Sequence, residues 1–348
     1  MVERVLLAQP RGFCAGVEMA IKALTWMVRV FHPPVYCFHD IVHNATVVEM
    51  FERAGVVFVD AIDEVPEGAP IMLSAHGSAP GVVTAAAARS AVMVDAVCPL
   101  VTKVHHEVRS KAAAGFEIIY VGHEGHDEAI GTVAEAPEAV TLVDPDRGLV
   151  DIDPRDPAKV ALVAQTTLGM FEWESVLDDA RARFPGLWTA RRSDLCYATT
   201  NRQDAVRALA EASDLVLVVG SDTSSNTMAL VRVARAHGVA AHRVDGPSSI
   251  DPDWLVDAET VGVTAGASAP DSSVQAVIDA VSPRRGVEIL SVSTEDEYFP
   301  PPPQLRAFLS SLQAAVEAGF TARHPGRPGP LDDDRAWGAT EALAMLGG

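Results

Sequence analysis

Short apolar runs alternate with amphipathic stretches along most of this chain. Residues 5–9 read as a buried strand, and residues 15–30 carry apolar positions at helical spacing. Residues 35–40 return to strand, 44–54 are helical, and 56–60 and 71–75 are strands again. A helix over 80–90 places Pro80 in its first turn, where a missing N–H is tolerated. Residues 91–97 form one more strand. Strands this short, alternating with helices, predict parallel α/β layers.

The pattern then starts again. A helix is predicted from Pro99, a strand over 117–122, a helix near His126, strands over 141–144 and 160–165, and a helix over 170–184. A third round follows: a helix near Thr200, a strand over 214–220, a helix over 226–237, strands over 240–245 and 261–264, and a helix from Pro270. Landmarks tie the rounds together. Phe38, Gly122 and Gly220 each end a strand 24 residues after a cysteine, namely Cys14, Cys98 and Cys196. A polar cluster comes next, at His43, at His126 and at Ser224-Ser225-Asn226. A second comes later, at Ala75-His76-Gly77-Ser78-Ala79-Pro80, at Ala164-Gln165-Thr166-Thr167 and at Ala265-Gly266-Ala267-Ser268-Ala269-Pro270. Three landmarks in one order predict three copies of one α/β unit. The expected divisions are 1–98, 99–195 and 196–283, then a return segment over 284–309 packing on the core and an extension over 310–348. Open α/β sheets bind ligands beyond the carboxyl ends of their strands. All three landmarks fall there, so units facing a common axis would enclose one cavity.

Composition narrows the chemistry. The 348 residues are 48% hydrophobic and 21% charged, with a net charge of -20. That balance argues against nucleic-acid or anionic-membrane partners, which need basic patches. The first residues do not make a signal peptide, since Pro10 and Arg11 interrupt a short apolar run. No stretch approaches the ~18 apolar residues of a spanning helix. A cytoplasmic location is expected, where disulfides are rare. Cys14, Cys37, Cys98 and Cys196 are then thiols or metal ligands, and no CxxC pair points to a zinc ribbon.

A cysteine at a helix start feels the positive end of the helix dipole, which favours thiolate. Three thiolates together repel unless a metal neutralises them, and three ligands leave a coordination position open for chemistry. The alternative is three unrelated buried thiols. Cys37, inside a strand with no counterpart in the other rounds, reads as core. His43, His76 and His126, at matched loops, suit donors to a polyanion. Ser224, Ser225, Asn226 and Ser268 lie at helix starts, where hydroxyls and free N–H groups bind phosphate; Ser268 reads equally well as a helix cap. Glu128 is a proton donor if an anion-binding cavity keeps it protonated, and otherwise a solvated helix-start carboxylate. Thr166 and Thr167 could orient that proton. No glycine-rich nucleotide loop is present.

These stretches carry a resemblance over residues 1–308. Gln9-Pro10-Arg11-Gly12-Phe13-Cys14-Ala15-Gly16-Val17, Ile41-Val42-His43-Asn44 and Ser74-Ala75-His76-Gly77 are three of them. Val121-Gly122-His123-Glu124-Gly125-His126-Asp127-Glu128, Cys196-Tyr197-Ala198-Thr199-Thr200-Asn201-Arg202-Gln203, Ser224-Ser225-Asn226 and Val263-Thr264-Ala265-Gly266-Ala267-Ser268 are the rest. Together they resemble the LytB/IspH family of 4-hydroxy-3-methylbut-2-enyl diphosphate reductases. The resemblance implies a trefoil of three similar α/β units with pseudo-threefold symmetry around a central cluster. It implies reductive dehydroxylation of the allylic diphosphate to isopentenyl and dimethylallyl diphosphates, the last step of the non-mevalonate (MEP/DOXP) isoprenoid pathway. It implies one [4Fe-4S] cluster per chain, held by Cys14, Cys98 and Cys196 with the fourth iron open. By the same resemblance His43, His76, His126, Ser224, Ser225, Asn226 and Ser268 hold the diphosphate, with Thr166 also touching substrate. Glu128, helped by Thr166, delivers protons, and a ferredoxin or flavodoxin supplies electrons.

The tail departs from that pattern. The proline run at 300–303 reads as a stiff linker, 305–320 as helix, 324–330 as loop and 337–346 as a short helix. A docking segment, a cover over a domain and disorder are all compatible with it. Competing readings of the whole chain are a zinc hydrolase and an iron–sulfur redox sensor or diphosphate-binding protein without turnover.

Overall fold

The computed structural model describes residues 2–190, 193–319, 331 and 333–347. Strand β1 (Arg4–Gln9) and helix α1 (Ala15–Val30) open the chain. The first round continues with β2 (Val35–Phe38), α2 (Ala45–Arg53), β3 (Val56–Val59), β4 (Ile71–Leu73), α3 (Pro80–Arg89) and β5 (Met93–Asp95). The second is α4 (Pro99–Ala113), β6 (Glu117–Val121), α5 (Asp127–Val133), β7 (Val140–Val143), β8 (Val160–Ala164), α6 (Met170–Arg183) and β9 (Trp188–Thr189). The third is α7 (Tyr197–Ala212), β10 (Leu215–Val219), α8 (Ser225–Ala236), β11 (Ala240–Val244), β12 (Thr260–Ala265), α9 (Asp271–Val281) and β13 (Val287–Ser291). Helices α10 (Pro303–Gly319) and α11 (Ala339–Ala344) follow.

Three parallel sheets result, ordered β3-β2-β4-β5, β7-β6-β8-β9 and β11-β10-β12-β1-β13. The arrangement is the same each time: the first strand of a round sits between the second and the third, and a fourth flanks the third. Strands such as β8 (VALVA) and β10 (LVLVV) are buried along their whole length, as parallel strands covered on both faces are. The chain reverses its order between the first and third strands, the place where such sheets hold ligands at their carboxyl ends.

One boundary differs from expectation. Residues 1–98 do not form a closed unit, because β1 pairs with β12 and β13 and so supplies the fourth strand of the third sheet. The reason is burial. Val5 and Leu7 enter the apolar layer of Leu217, Val261 and Val263, while Leu6 and Ala8 enter the opposite layer with Val216 and Val218. A strand apolar on both faces needs a neighbour on each edge, and the return segment supplies one as β13. The sequence pattern did not predict β13, whose residues are mostly exposed, nor the two-residue β9.

The chain divides into two compact units, Met1–Cys14 with Leu100–Asp296, and Ala15–Pro99 with Glu297–Gly348. The former holds the second and third sheets, the latter the first sheet and the tail. Among the described residues no helix is long and apolar enough to cross a membrane.

The tail is packed. Lys22 of α1 and Asp334 form a buried ion pair of 2.7 Å, and Lys22 also donates to the Asp334 carbonyl. Tyr298 donates its hydroxyl to the same carboxylate at 2.8 Å. The Lys22 ammonium lies 4.8 Å from the Trp337 ring centroid, and Trp337 meets Trp26 edge-on. The loop expected over 324–330 lies outside the described residues. Asp334→Ala strands a buried ammonium, so it is expected to cost about 3–5 kcal/mol, whereas an apolar replacement of both Lys22 and Asp334 costs far less. Urea unfolding of the single and double variants measures this; equal losses would show that the pair is not what anchors the tail.

Candidate active site

In the unit of the second and third sheets, most of the site candidates lie on one line of hydrogen bonds. Cys14, between β1 and α1, donates its N–H to the Ala267 carbonyl at 3.2 Å. Ala267 in turn donates to Asn226 Oδ1 at 3.0 Å, and Asn226 Nδ2 reaches Thr199 Oγ1 at 3.4 Å. Thr199 Oγ1 is 3.1 Å from the Cys196 sulfur, which also accepts from the Thr199 N–H at 3.3 Å. Cys196 N–H donates to the Thr166 carbonyl at 3.0 Å. Thr166 donates twice to Glu128, from N–H to Oε1 at 2.6 Å and from Oγ1 to Oε2 at 2.9 Å. Glu128 N–H closes the line on His126 Nδ1 at 3.1 Å. The residues come from loops after β1, β6, β8, β10 and β12 and from the start of α7. His126, Glu128, Thr166, Asn226 and Ala267 lie at the reversal points of the second and third sheets, and the two cysteines follow the fourth strands that flank them.

Local sequence explains each placement. Cys196 is the N-cap of α7, its sulfur taking the place of the usual oxygen acceptor. Ser224 caps α8 by accepting from Thr227 N–H at 3.3 Å, which leaves Ser225 and Asn226 in the first turn. Gly220 and Gly266 let that turn approach, since a side chain at either would collide with Thr227. Ser224, Ser225, Asn226 and Ser268 are all buried. The Ser225 hydroxyl has no hydrogen-bond partner, a costly state that an anionic ligand would relieve.

In the other unit, His43 follows β2 and His76 follows β4, and their rings stack with centroids 3.8 Å apart. Ala75 N–H donates to the Ile41 carbonyl, and Cys98 N–H donates to the Ala75 carbonyl at 3.0 Å. Cys98 immediately precedes α4, just as Cys14 precedes α1. Cys37 is fully buried in β2, and burial pushes its thiol far above the ordinary range.

Burial pushes the Glu128 carboxyl up to about 7; the two Thr166 donors pull it down and the charge of Asp194 adds to the rise. Asp194 itself is raised by burial and by the neighbouring Glu107 carboxylate. It accepts from Ala164 N–H at 3.2 Å, tying the segment before Cys196 to the end of β8. Burial, and Cys14 close by, push the Cys196 thiol up to about 11, against the Thr199 donors and the charge of Arg202. Thiolates here need a cation, and two half-buried thiols within electrostatic reach of one another suit a thiophilic metal such as iron.

Three participants were not singled out from sequence. Thr199 had a readable signal, the Cys-x-x-Thr spacing of a helix cap. Arg202 had another: it falls on the buried face of α7 with Ala198, Ala205, Val206 and Leu209. Asp194 had none, since its role depends on where β8 ends.

The fold and the site define an α/β protein of three parallel sheets with a thiol and two polar loops at the strand ends of each. A family model described as LytB protein matches residues 5–282, and the chain belongs to that family. Among its relatives is a protein named 4-hydroxy-3-methylbut-2-enyl diphosphate reductase in Rhodopirellula baltica, 46% identical over 314 residues, covering 90% of this chain and 98% of that one. A protein of the same name in Mycobacterium leprae is 49% identical over 296 residues, covering 85% and 89%. The solved E-1-hydroxy-2-methyl-but-2-enyl-4-diphosphate reductase of Plasmodium falciparum superposes with a TM-score of 0.86 at 31% identity, covering 90% of this chain and 100% of that one.

The raised carboxyl ties stability to pH. The native state holds the Glu128 proton more tightly than the unfolded chain, so this group's contribution is complete below about 4.5 and is lost as pH rises through about 7. The loss is on the order of 3 kcal/mol. Glu128→Gln cannot ionise and is expected to flatten that part of the profile, leaving the part due to Asp194. Urea unfolding at about pH 5 and about pH 8 measures it; an unchanged profile in the variant would mean that Glu128 is not held neutral.

Proposed function

We propose that this chain reduces (E)-4-hydroxy-3-methylbut-2-enyl diphosphate to isopentenyl and dimethylallyl diphosphates, the last step of the non-mevalonate isoprenoid pathway. The substrate takes up two electrons and two protons and loses its hydroxyl as water. The observation that carries the reading is the bonded line from Cys14 through Asn226, Cys196 and Thr166 to Glu128, in a chain that belongs to the LytB family.

Iron–sulfur chemistry is expected of this family. Cys14, Cys98 and Cys196 are the proposed ligands of a [4Fe-4S] cluster with one open iron, and all three stand directly before a helix. When bound, that cluster supplies the electrons and a Lewis acid for the substrate hydroxyl. The chain's own residues do the rest. His43, His76 and His126, with Ser224, Ser225, Asn226 and Ser268, take the diphosphate at loops after the first and third strands. Their N–H and O–H groups satisfy its charge and fix where the allylic end lies. Glu128, buried and poised near neutrality, holds a proton at its carboxyl, and Thr166 holds that carboxyl in place by two bonds. A one-electron protein donor, a ferredoxin or flavodoxin, is the proposed reductant.

Anaerobic purification, iron and sulfide analysis, and an assay with a reduced viologen dye test this together. Turnover of the allylic diphosphate by a brown, iron-containing protein is expected. A colourless protein would favour a zinc enzyme, and an iron–sulfur protein without turnover a sensor. Glu128→Gln is expected to retain iron and bind substrate but lose at least about 100-fold in kcat. Cys98→Ser is expected to lose the visible absorption; its persistence would remove Cys98 from the ligands.

A further inference from the structure

Arg202 is fully buried, and the proposed chemistry does not use it. Its guanidinium gathers two segments that each carry a cysteine. Nε and Nη2 donate to the Gly12 carbonyl at 3.2 and 2.8 Å, and Nη2 also reaches the Phe13 carbonyl at 3.4 Å. Nη1 donates to the Ala198 carbonyl at 3.0 Å, and to the Glu295 carboxylate at 2.9 and 3.2 Å. Asn201 Nδ2 holds the same carboxylate at 3.0 Å. Gly12 and Phe13 lead directly into Cys14, and Ala198 lies in the first turn after Cys196. One rigid fork therefore ties together the two segments that carry the thiols, with a geometry a lysine ammonium cannot reproduce.

The same group carries charge. A buried guanidinium acts on nearby charges through a medium of low dielectric, and this one bonds the Ala198 carbonyl, two residues beyond Cys196. Glu295 partly cancels it. Cluster potentials respond to local charge and to the hydrogen bonds around the sulfurs.

We infer that Arg202 is a positioning residue of the metal site: it braces the Cys14 loop against the start of α7 and, balanced by Glu295, sets the local charge against which electrons enter. The inference rests on the proposed reading of Cys14 and Cys196 as ligands. Arg202→Met, Arg202→Lys and Glu295→Gln test it, by hydrogen exchange at the Gly12 and Cys14 amides of the metal-free chain and by redox titration of the anaerobically loaded chain. Arg202→Met is expected to lose amide protection and to move the midpoint potential downward. Arg202→Lys is expected to lose protection while holding the potential nearer wild type. Glu295→Gln is expected to keep protection and move the potential upward. A merely structural role would not give shifts of opposite sign. Unchanged protection in Arg202→Met, or potentials that stay put or move the same way in Arg202→Met and Glu295→Gln, overturns the inference. If Arg202→Met does not fold, the other two variants decide. A wild-type chain that takes up no iron overturns the ligand reading and the charge half with it, while amide exchange still decides the brace.

Discussion

Each of the three helix-start cysteines depends on the same main-chain bond. Cys14, Cys98 and Cys196 each donate their own N–H to the carbonyl of a polar loop that follows a third strand, at Ala267, Ala75 and Thr166. A backbone bond of this kind is indifferent to side-chain identity, so it persists while the loop residues diverge into Ala-Ser, Ala-His and Thr-Thr. It also removes independence. The residue that carries the thiol and the neighbouring polar loop are joined through their main chains. Loops at strand ends are ordinarily the mobile parts of an α/β protein; here each is stitched to the residue before a helix.

Two groups pay for that arrangement in stability. Glu128 is buried where a carboxylate is poorly solvated, and Arg202 leaves water completely. Both are answered by bonds: Thr166 donates twice to Glu128, while Gly12, Phe13, Ala198 and Glu295 accept from Arg202. The bonds reduce the desolvation penalty without cancelling it for Glu128, which is why its proton affinity stays near neutrality. A carboxyl whose proton affinity lies near neutrality is one held partly against its preference for water.

Much of this was legible in the chain. Strands such as 160–164 and 215–219 announce themselves by unbroken apolar runs, and the cysteine-to-strand spacing gives away the repeat. The polar clusters at His43, His126 and Ser224 follow each first strand, and those at His76, Thr166 and Ser268 follow each third strand, because loops at a reversal point must hold what the sheet cannot. Other features depend on distant parts of the chain. Nothing near Val5 states that its partners are Val261 and Val287, and nothing near Glu295 states that it answers Arg202. Strand β13 escaped because an exposed edge strand needs no apolar pattern.

The placement of β1 has a consequence for how the molecule is made. The sheets of β2–β5 and β6–β9 are each built from strands consecutive in the chain. The third sheet is not: its β1 leaves the ribosome first and has no neighbour until β12 exists, more than two hundred residues later. Until then Leu6 and Leu7 stay exposed on a nascent segment, the condition under which chains misassociate. The long loop between β1 and β12 must also close before its contacts repay the entropy. Cys14 consequently comes to its place beside Ala267 late in assembly, after most of the chain has been made.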